Sequence, residues 1–264
     1  MLNYALSDED LRTWKEKQFL VLKTPWSRDE VDELKSWVDT LASWPETPGK
    51  WMKYFETPPG SSAKQLCRVE NFIQYHDPLN QLLNCAGVMN ILEKLMGEPA
   101  VLFKEKVNFK LPGGAGFSAH QDAPAFVSFG HRYHITMLIS VDDSNAENGC
   151  LEMSSPIPIY ETLPQAEDGT IATEREEQMS WTPLPTQAGD IVFFDSYIPH
   201  RSQSNRSQSP RRALYVTYNR ASEGMVRDDY YAHKRSAFPP DCERVPGVDY
   251  SKTAGPYNLG NPIR

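Results

Sequence analysis

The segment from residue 100 to 111, AVLFKEKVNFKL, alternates between apolar and polar residues and constrains the fold more than any other stretch. Successive side chains of an extended strand point to opposite faces, so this pattern predicts a strand with one apolar and one polar face. The polar face carries Lys104, Lys106, Asn108 and Lys110. Such a face turns to water in an open sheet but can line a binding cavity in a small barrel, and the sequence leaves both alternatives open.

Further strands are predicted where short apolar runs lie between turn residues. They are HITMLISV at 134–141, DIVFF at 190–194 and ALYVTY at 213–218. Helices precede them: Ser27 and Glu30 have capping-box spacing, and a second helix is expected between Asp77 and Gly97. This order predicts an α+β, mainly β fold: a double-stranded β-helix (a cupin-like jelly-roll barrel) supported by N-terminal helices.

The 264 residues suit one domain, in which we expect three parts. Helical support spans about 1–98, the jelly-roll core about 99–235, and an extended C-terminal strap 236–264. The acidic stretch 161–178, which has few apolar residues, is expected to form a mobile loop or lid.

Composition limits the kind of partner. The net charge of −8 argues against a broad nucleic-acid surface and against an anionic membrane. The N-terminal stretch has acids where a signal peptide has an apolar run, and no apolar run reaches the ~20 residues of a membrane span. The four cysteines match no zinc or redox spacing and are interpreted as reduced thiols. We expect a cytoplasmic protein that acts on a small molecule and needs no obligate protein partner.

The tripeptide His120-Gln121-Asp122 is the first feature that points to chemistry. On a strand or at its end, residues i and i+2 project to the same side, so one imidazole and one carboxylate can reach one metal ion. A second histidine would complete a facial triad of the type that favours non-haem Fe(II) oxygenases. Alone, the tripeptide is weak evidence, since a single histidine near a turn is more often structural.

Three downstream residues strengthen this interpretation. His200 follows the apolar strand at 190–194, and Arg211 opens the strand RRALYVTY. A planar guanidinium can bind the far carboxylate of a dicarboxylate through two parallel charge-assisted bonds, while the near end chelates iron. Ser202 lies two residues after His200 and can add a hydroxyl donor.

These stretches resemble the phytanoyl-CoA dioxygenase family over roughly residues 60–235. The resemblance rests on RVENF at 68–72, FKLPGG at 109–114, HQD at 120–122, DDSNAENGCLEMSSPI at 142–157, PHRS at 199–202 and PRRAL at 210–214. It implies a dioxygenase that uses Fe(II), 2-oxoglutarate and O2. It also implies iron ligands at His120, Asp122 and His200.

The resemblance assigns further residues to the cosubstrate and the substrate. Arg211 would bind the C5 carboxylate of 2-oxoglutarate, assisted by Ser202, with Thr136 as a further polar contact. Arg68 and Lys106 would lie near the cosubstrate or the substrate. Asp122 favours hydroxylation, because halogenase relatives carry a small residue at this position.

One segment departs from the family pattern and weakens inferences about the substrate. Where the family often has Gly-Ser-His or Gly-Thr-His after NGCL, this chain has Ser154-Ser155-Pro156 in a loop that borders the pocket.

The segments LFKEKVNFKLPGG, PHRSQSN, RRALYVTYN and YYAHKRSAFPP resemble bacterial members that hydroxylate 2-aminoethylphosphonate at the carbon next to phosphorus. The lysines of the 100–111 strand suit an anionic substrate, because a buried cation without a partner is costly. For the amine end of the substrate, Asn108, Asn219 and Glu70 are the candidates. The alternatives are a hydroxylase of an amino acid, a betaine-like compound or another small carboxylate, and a non-catalytic jelly-roll binding protein.

Overall fold

The computed structural model describes residues 4–23, 26–158, 160–250, 253–254, 257 and 263. Its helices are α1 (Asp8–Lys17), α2 (Arg28–Ser43), α3 (Asp77–Leu83), α4 (Ala86–Met96), α5 (Ala123–Phe126), α6 (Thr173–Glu176) and α7 (Arg227–Ala237). The longest of them, α2, begins at the predicted capping box, in which Ser27 and Glu30 exchange side-chain and backbone hydrogen bonds.

Strands form two antiparallel sheets. The strands are β1 (Phe19–Leu22), β2 (Met52–Glu56), β3 (Gln65–Glu70), β4 (Ala100–Lys110), β5 (Phe117–His120), β6 (His134–Ser140), β7 (Leu151–Ser154), β8 (Trp181–Leu184), β9 (Ile191–Asp195), β10 (His200–Ser202) and β11 (Arg211–Arg220). The larger sheet has the order β1-β9-β6-β11-β4-β3-β2, and the smaller has the order β5-β10-β7-β8.

The larger sheet is covered on both faces. Val107 and Leu214 belong to a core cluster that also contains residues of α2, α3 and α4, so these helices pack on one face. Leu138 and Phe194, from the same sheet, cluster instead with Met153 of the smaller sheet. This alternation is the period-2 pattern of strands that are buried on both sides, and it places the polar face of β4 on the side of the smaller sheet.

The predicted strands are confirmed as β4, β6, β9 and β11, and the N-terminal region differs from the prediction. It contains the four helices α1 to α4, but it also contributes β1, β2 and β3 to the larger sheet, which was not predicted. The second predicted helix is two helices, α3 and α4, which are separated at Asn84 and Cys85. Helix α7 was not predicted at all.

Two other predicted segments can be located. The acidic stretch 161–178 contains the isolated bridge between Gln165 and Ile171 and the short helix α6. Of the C-terminal strap predicted at 236–264, the described part begins with the end of α7 and contains a 3-10 turn at Asp241–Glu243, and after 250 only residues 253–254, 257 and 263 are described. Among the helices that the structure describes, none is both long and apolar enough to cross a bilayer.

Candidate active site

Two histidines face each other in the smaller sheet. His120 ends β5 and His200 begins β10, and the two are direct partners in the antiparallel register of these strands. Their ring centroids lie 4.3 Å apart. Side chains directly opposite each other in an antiparallel pair are close neighbours, so strand pairing brings together two residues that are distant in sequence.

Asp122 completes a triad with these histidines. It follows β5 directly and is the N-cap residue of α5. The intervening Gln121 is engaged elsewhere: its amide nitrogen donates to the carbonyl oxygens of Tyr197 and Glu161, and its amide oxygen accepts from the Leu163 N–H. One ligand-type atom from each member of the triad lies within 4.8 Å of the other two. The three side chains are therefore close enough to hold one metal ion.

The backbone fixes which nitrogen of each imidazole is free. Nδ1 of His120 donates to the carbonyl oxygen of Ser118 at 2.7 Å, and Nδ1 of His200 donates to that of Ile198 at 3.1 Å. A carbonyl oxygen only accepts hydrogen bonds, so each Nδ1 carries the proton and each Nε2 keeps its lone pair. A second hydrogen bond of this kind orients metal-binding histidines in proteins.

The protonation states of the triad are those that a metal site requires: neutral imidazoles and an ionised carboxylate. Burial and the neighbouring His200 lower the pKa of His120 to about 3, and burial also lowers the pKa of His200. Burial acts to raise the pKa of Asp122, but His200, Lys104 and Lys106 together hold it below its ordinary value. Two neutral imidazoles and a carboxylate are the donor set that is typical of non-haem Fe(II) sites.

A first cavity opens on one side of the triad. Its lining combines both histidines and Asp122 with residues of β4, β6, β10 and β11. The lining residues are Lys106, Asn108, Phe117, His120, Asp122, Thr136, Leu151, His200, Arg201, Ser202, Tyr215 and Thr217. Thr136 and Thr217 are register partners on β6 and β11, and their hydroxyls lie 3.0 Å apart. The Thr136 hydroxyl also donates to Asp122 at 3.4 Å.

Arg211 lies behind this first cavity and reaches it through a tyrosine. Its guanidinium donates to the Tyr215 hydroxyl and to the Ser144 hydroxyl, both at 3.3 Å. Arg211 is 2% exposed, and no carboxylate of the described residues pairs with it. Because its acceptors among the described residues are neutral hydroxyls, the guanidinium keeps its full charge and can pair with the carboxylate of a ligand.

Lys110 supports Ser202 in the same region. Its ammonium donates to the Ser202 hydroxyl at 2.7 Å and to the carbonyl oxygens of Gly149 and Gln203. Burial and the neighbouring Arg211 lower the pKa of Lys110 to about 6. Lys110 is 2% exposed and lines neither cavity, whereas Lys104, Lys106 and Asn108 line one or both. Of the two alternatives for the polar face of β4, a cavity lining therefore describes these three residues.

A second cavity opens on the other side of the triad and extends to α7. It shares Lys106, Phe117, His120 and Asp122 with the first. Its lining residues are Arg68, Glu70, Lys104, Lys106, Phe117, His120, Asp122, Ala125, Tyr230, Lys234 and Tyr257. The two cavities therefore meet at the triad, where they share a lysine and two triad members.

Two lysines of the second cavity form no direct ion pair with a described residue. Among the described residues, neither Lys104 nor Lys106 forms an ion pair or a hydrogen bond. Their ammonium groups lie over aromatic rings instead, 4.1 Å from the Phe126 centroid and 5.4 Å from the Tyr215 centroid. Burial lowers the pKa of both lysines. Both side chains are half-buried. Because a partly desolvated cation without a direct ion pair is costly, this arrangement favours an anionic ligand.

The far wall of the second cavity is a buried ion-pair network. Glu70 accepts from Lys234 at 2.5 Å and from Arg68 at 3.2 Å. Arg68 also donates through Nε to the Asn108 side-chain oxygen at 3.0 Å. All of these groups are less than 5% exposed. Although burial acts to raise the pKa of Glu70, Lys234 and Arg68 lower it to about 2, so the carboxylate is charged.

The structure thus places most of the predicted site residues around the two cavities, with one exception. Asn219 lines neither cavity, and its amide donates to the carbonyl oxygens of Arg220 and Gly224. Sequence reasoning missed Lys234. The available signal was helical spacing, since Lys234 follows Tyr230 by one turn on the buried face of α7.

The chain belongs to the phytanoyl-CoA dioxygenase family, whose profile matches residues 14–213. Two relatives are similar over nearly their whole lengths. A 2-aminoethylphosphonate dioxygenase from the uncultured bacterium HF130_AEPn_1 is 50% identical over 258 residues, which cover 98% of each chain. A methylphosphonate hydroxylase from Gimesia maris is 41% identical over 237 residues, which cover 90% of each chain.

Solved structures share the fold at low sequence identity. EctD from S. alaskensis, crystallised with 2-oxoglutarate and 5-hydroxyectoine, has a TM-score of 0.70 at 18% identity and covers 84% of this chain and 80% of its own. EctD with bound Fe has a TM-score of 0.67 at 16% identity and covers 85% and 82%. The predicted enzyme class, a dioxygenase that depends on iron and 2-oxoglutarate, is confirmed by the family and by the two similar relatives, whereas the solved structures show the shared fold.

Proposed function

We propose that this enzyme hydroxylates 2-aminoethylphosphonate at the carbon next to phosphorus. The observation that carries the proposal is the pair of half-buried lysines, Lys104 and Lys106, which line the second cavity beside the triad and form no direct ion pair among the described residues. A phosphonate supplies the missing negative charge. The relative that is 50% identical over 98% of both chains is a dioxygenase of this same compound.

The proposed iron ligands are His120, Asp122 and His200. Their donor set fits Fe(II): the imidazoles are neutral with Nε2 free, the carboxylate is ionised, and such a triad leaves coordination positions open. When bound, iron, 2-oxoglutarate and O2 supply the oxidation, in which one oxygen atom enters the substrate C–H bond and the other enters succinate as CO2 leaves.

We place 2-oxoglutarate in the first cavity. Arg211 offers its buried guanidinium to the far carboxylate, and its neighbours Tyr215 and Ser144 hold that group in position. Ser202 and Thr136 line the cavity and offer hydroxyls. Arg211 and the triad-bound metal would then hold the two ends of one 2-oxoglutarate molecule.

We place the substrate in the second cavity. Lys106 lines both cavities and is the cation best placed to hold a phosphonate near the triad, with Lys104 beside it on β4. Arg68 lies further along the same wall, and its partner Asn108 fixes the direction of its guanidinium. Holding the head group in this way orients the adjacent carbon toward the metal, which is the main contribution that a protein makes to this chemistry.

We further propose that residues 1–264 form one domain and that its two sheets are the halves of a jelly-roll. The mixed cluster of Leu138, Phe194 and Met153, which joins the sheets, supports this proposal. We also propose a cytoplasmic enzyme that acts without nucleic acid or an obligate protein partner. The net charge of −8 and the three buried free thiols, Cys67, Cys85 and Cys150, are in keeping with it.

The test is a reaction of the purified enzyme with Fe(II), 2-oxoglutarate, O2 and 2-aminoethylphosphonate, followed by phosphorus NMR and succinate analysis. We expect a new phosphorus resonance and equal amounts of succinate and hydroxylated product. Omitting iron or the phosphonate should remove the signal. Parallel reactions with methylphosphonate, a betaine and several amino acids test the other substrates.

An unshifted phosphorus resonance with 2-aminoethylphosphonate would refute this substrate. Succinate formation with one of the other compounds would then identify the alternative. Binding without any succinate would support a non-catalytic binding protein.

A further inference from the structure

We propose that Glu70 is the specificity-determining residue for the ammonium end of the substrate. This inference rests on the proposed function and deepens it, because it concerns the same cavity and names the group that selects an aminoalkylphosphonate over a simple alkylphosphonate. It places the phosphonate at Lys104 and Lys106 and the ammonium at Glu70, which is the direct strand partner of Lys106.

Glu70 is the one carboxylate, apart from Asp122 of the triad, among the described residues that line the second cavity. It is 1% exposed, so an ammonium that reaches it leaves water and gains a full charge-assisted hydrogen bond. Asp122 is committed to the triad. A positively charged substrate group in this cavity therefore has a single anionic partner.

The wall around Glu70 already accommodates an alkylammonium group. The Lys234 ammonium lies 2.5 Å from the carboxylate and is surrounded by the rings of Tyr54, Tyr257 and Tyr230, at 5.4, 5.8 and 6.0 Å from their centroids. Carboxylate and aromatic faces together are the chemistry that recognises ammonium ions. Tyr230 and Tyr257 also line the cavity, so a substrate ammonium can use the same surroundings.

Glu70 has the capacity for a further donor. One of its oxygens accepts from Arg68 and the other from Lys234, whereas a carboxylate has about four acceptor positions. A substrate ammonium can therefore approach Glu70 as a third donor beside Arg68 and Lys234, while the phosphonate stays at Lys104 and Lys106.

The two amide side chains that sequence reasoning offered for the amine end are less suited. Asn108 lines only the first cavity, and its side-chain oxygen already accepts from Arg68. Asn219 lines neither cavity. An amide oxygen is also neutral and binds an ammonium more weakly than a carboxylate does.

The cavity sets a cation and a carboxylate side by side, as a short zwitterion requires. Glu70 on β3 is the direct register partner of Lys106 on β4, and of the two only Lys106 also lines the first cavity. The phosphonate end would therefore lie near the metal, which brings the carbon next to phosphorus toward the reaction centre. The ammonium, which is one carbon further away, would point to Glu70.

The experiment compares Glu70→Gln with the wild-type enzyme on two substrates. One is 2-aminoethylphosphonate, and the other is propylphosphonate, in which a methyl group replaces the ammonium. We expect kcat/KM for the amine to fall about 100-fold, the effect of losing a hydrogen bond between charged groups, while kcat/KM for propylphosphonate changes by less than about threefold. The ratio of the two values is the readout, since a structural role would lower both together.

A second variant guards against misfolding. Glu70→Gln leaves the Lys234 ammonium buried without its partner, so Glu70→Gln combined with Lys234→Met replaces the pair by a neutral one. Thermal unfolding and anaerobic titration of each phosphonate, followed by phosphorus NMR, check folding and binding apart from turnover. We expect the double variant to show the same loss of preference for the amine.

The outcomes separate the two proposals. Equal losses of kcat/KM on both substrates in both variants would overturn the role of Glu70 and leave the proposed function standing. An unchanged preference for the amine would also overturn the role of Glu70. Wild-type enzyme that leaves 2-aminoethylphosphonate unreacted and unbound would overturn the proposed function, and this inference with it.

Discussion

The two cavities share two members of the triad but differ in how their cations are satisfied. Behind the first cavity, Arg211 is held by two hydroxyls, which are neutral acceptors. In the second, Arg68 and Lys234 are paired with a carboxylate, and Lys104 has no ionic partner among the described residues.

This difference suggests a division of labour. Neutral acceptors orient a cation without cancelling its charge, which suits a cosubstrate that is a dicarboxylate in every turnover. An ion pair can exchange partners with a charged ligand, so the second cavity can discriminate among substrates by both ends of the molecule. The predictions below test whether the two cavities are separate in function, and they run from the largest expected effect to the smallest.

Removing one member of the triad should affect both cavities. We expect His120→Ala to lower turnover by more than about 100-fold with every substrate, because the loss of an iron ligand exceeds the effect of losing a group that merely supports one. Substrate-dependent succinate formation measures turnover, and anaerobic calorimetry with Fe(II) measures metal affinity. Full activity or unchanged iron affinity in this variant would remove His120 from the metal site.

Arg211→Met should affect the first cavity alone. We expect the KM for 2-oxoglutarate to rise about 100-fold, since truncating one partner of a buried charge pair costs several kcal/mol. The KM for the phosphonate should stay within about threefold of wild type, because Arg211 does not line the second cavity. Steady-state kinetics with each substrate varied in turn gives both values. A comparable rise in both would mean that the cavities are coupled and would contradict their separation.

Lys104→Met is the mirror experiment for the second cavity. We expect the KM for 2-aminoethylphosphonate to rise about 20-fold, the effect of one charge-assisted hydrogen bond, with the KM for 2-oxoglutarate unchanged. Methionine keeps the length of the side chain, and Lys104 has no ion pair to break among the described residues, so stability should change little. Lys106→Met is the matched control, because Lys106 lines both cavities and should raise both KM values.

Local sequence patterns accounted for the strands of the site better than for its far wall. The alternation at 100–111 predicted β4, and the spacing of His120 and Asp122 indicated that both side chains could reach one metal ion, although it was weak evidence on its own. Their meeting with His200 depends on the register of β5 and β10, which no local pattern specifies.

The wall formed by Lys234 could not be predicted in the same way. A lysine in a polar-looking helix is ordinarily solvated, and only the distant partner Glu70 on β3, 164 residues away, explains its burial. Glu70 itself was one of three candidates for the amine end. Tertiary contacts, rather than residue type, distinguish it from Asn108 and Asn219.

The smallest functional effect is expected at Asn219, which lies outside both cavities. We expect Asn219→Ala to leave both KM values within about twofold of wild type and to lower the free energy of unfolding by about 1 to 2 kcal/mol. The loss arises because the Asn219 amide donates to the carbonyl oxygens of Arg220 and Gly224 at the end of β11. Chemical denaturation measures the stability, and steady-state kinetics measures the KM values. A selective rise in the KM for the phosphonate would instead place Asn219 at the substrate and extend the second cavity beyond its present lining.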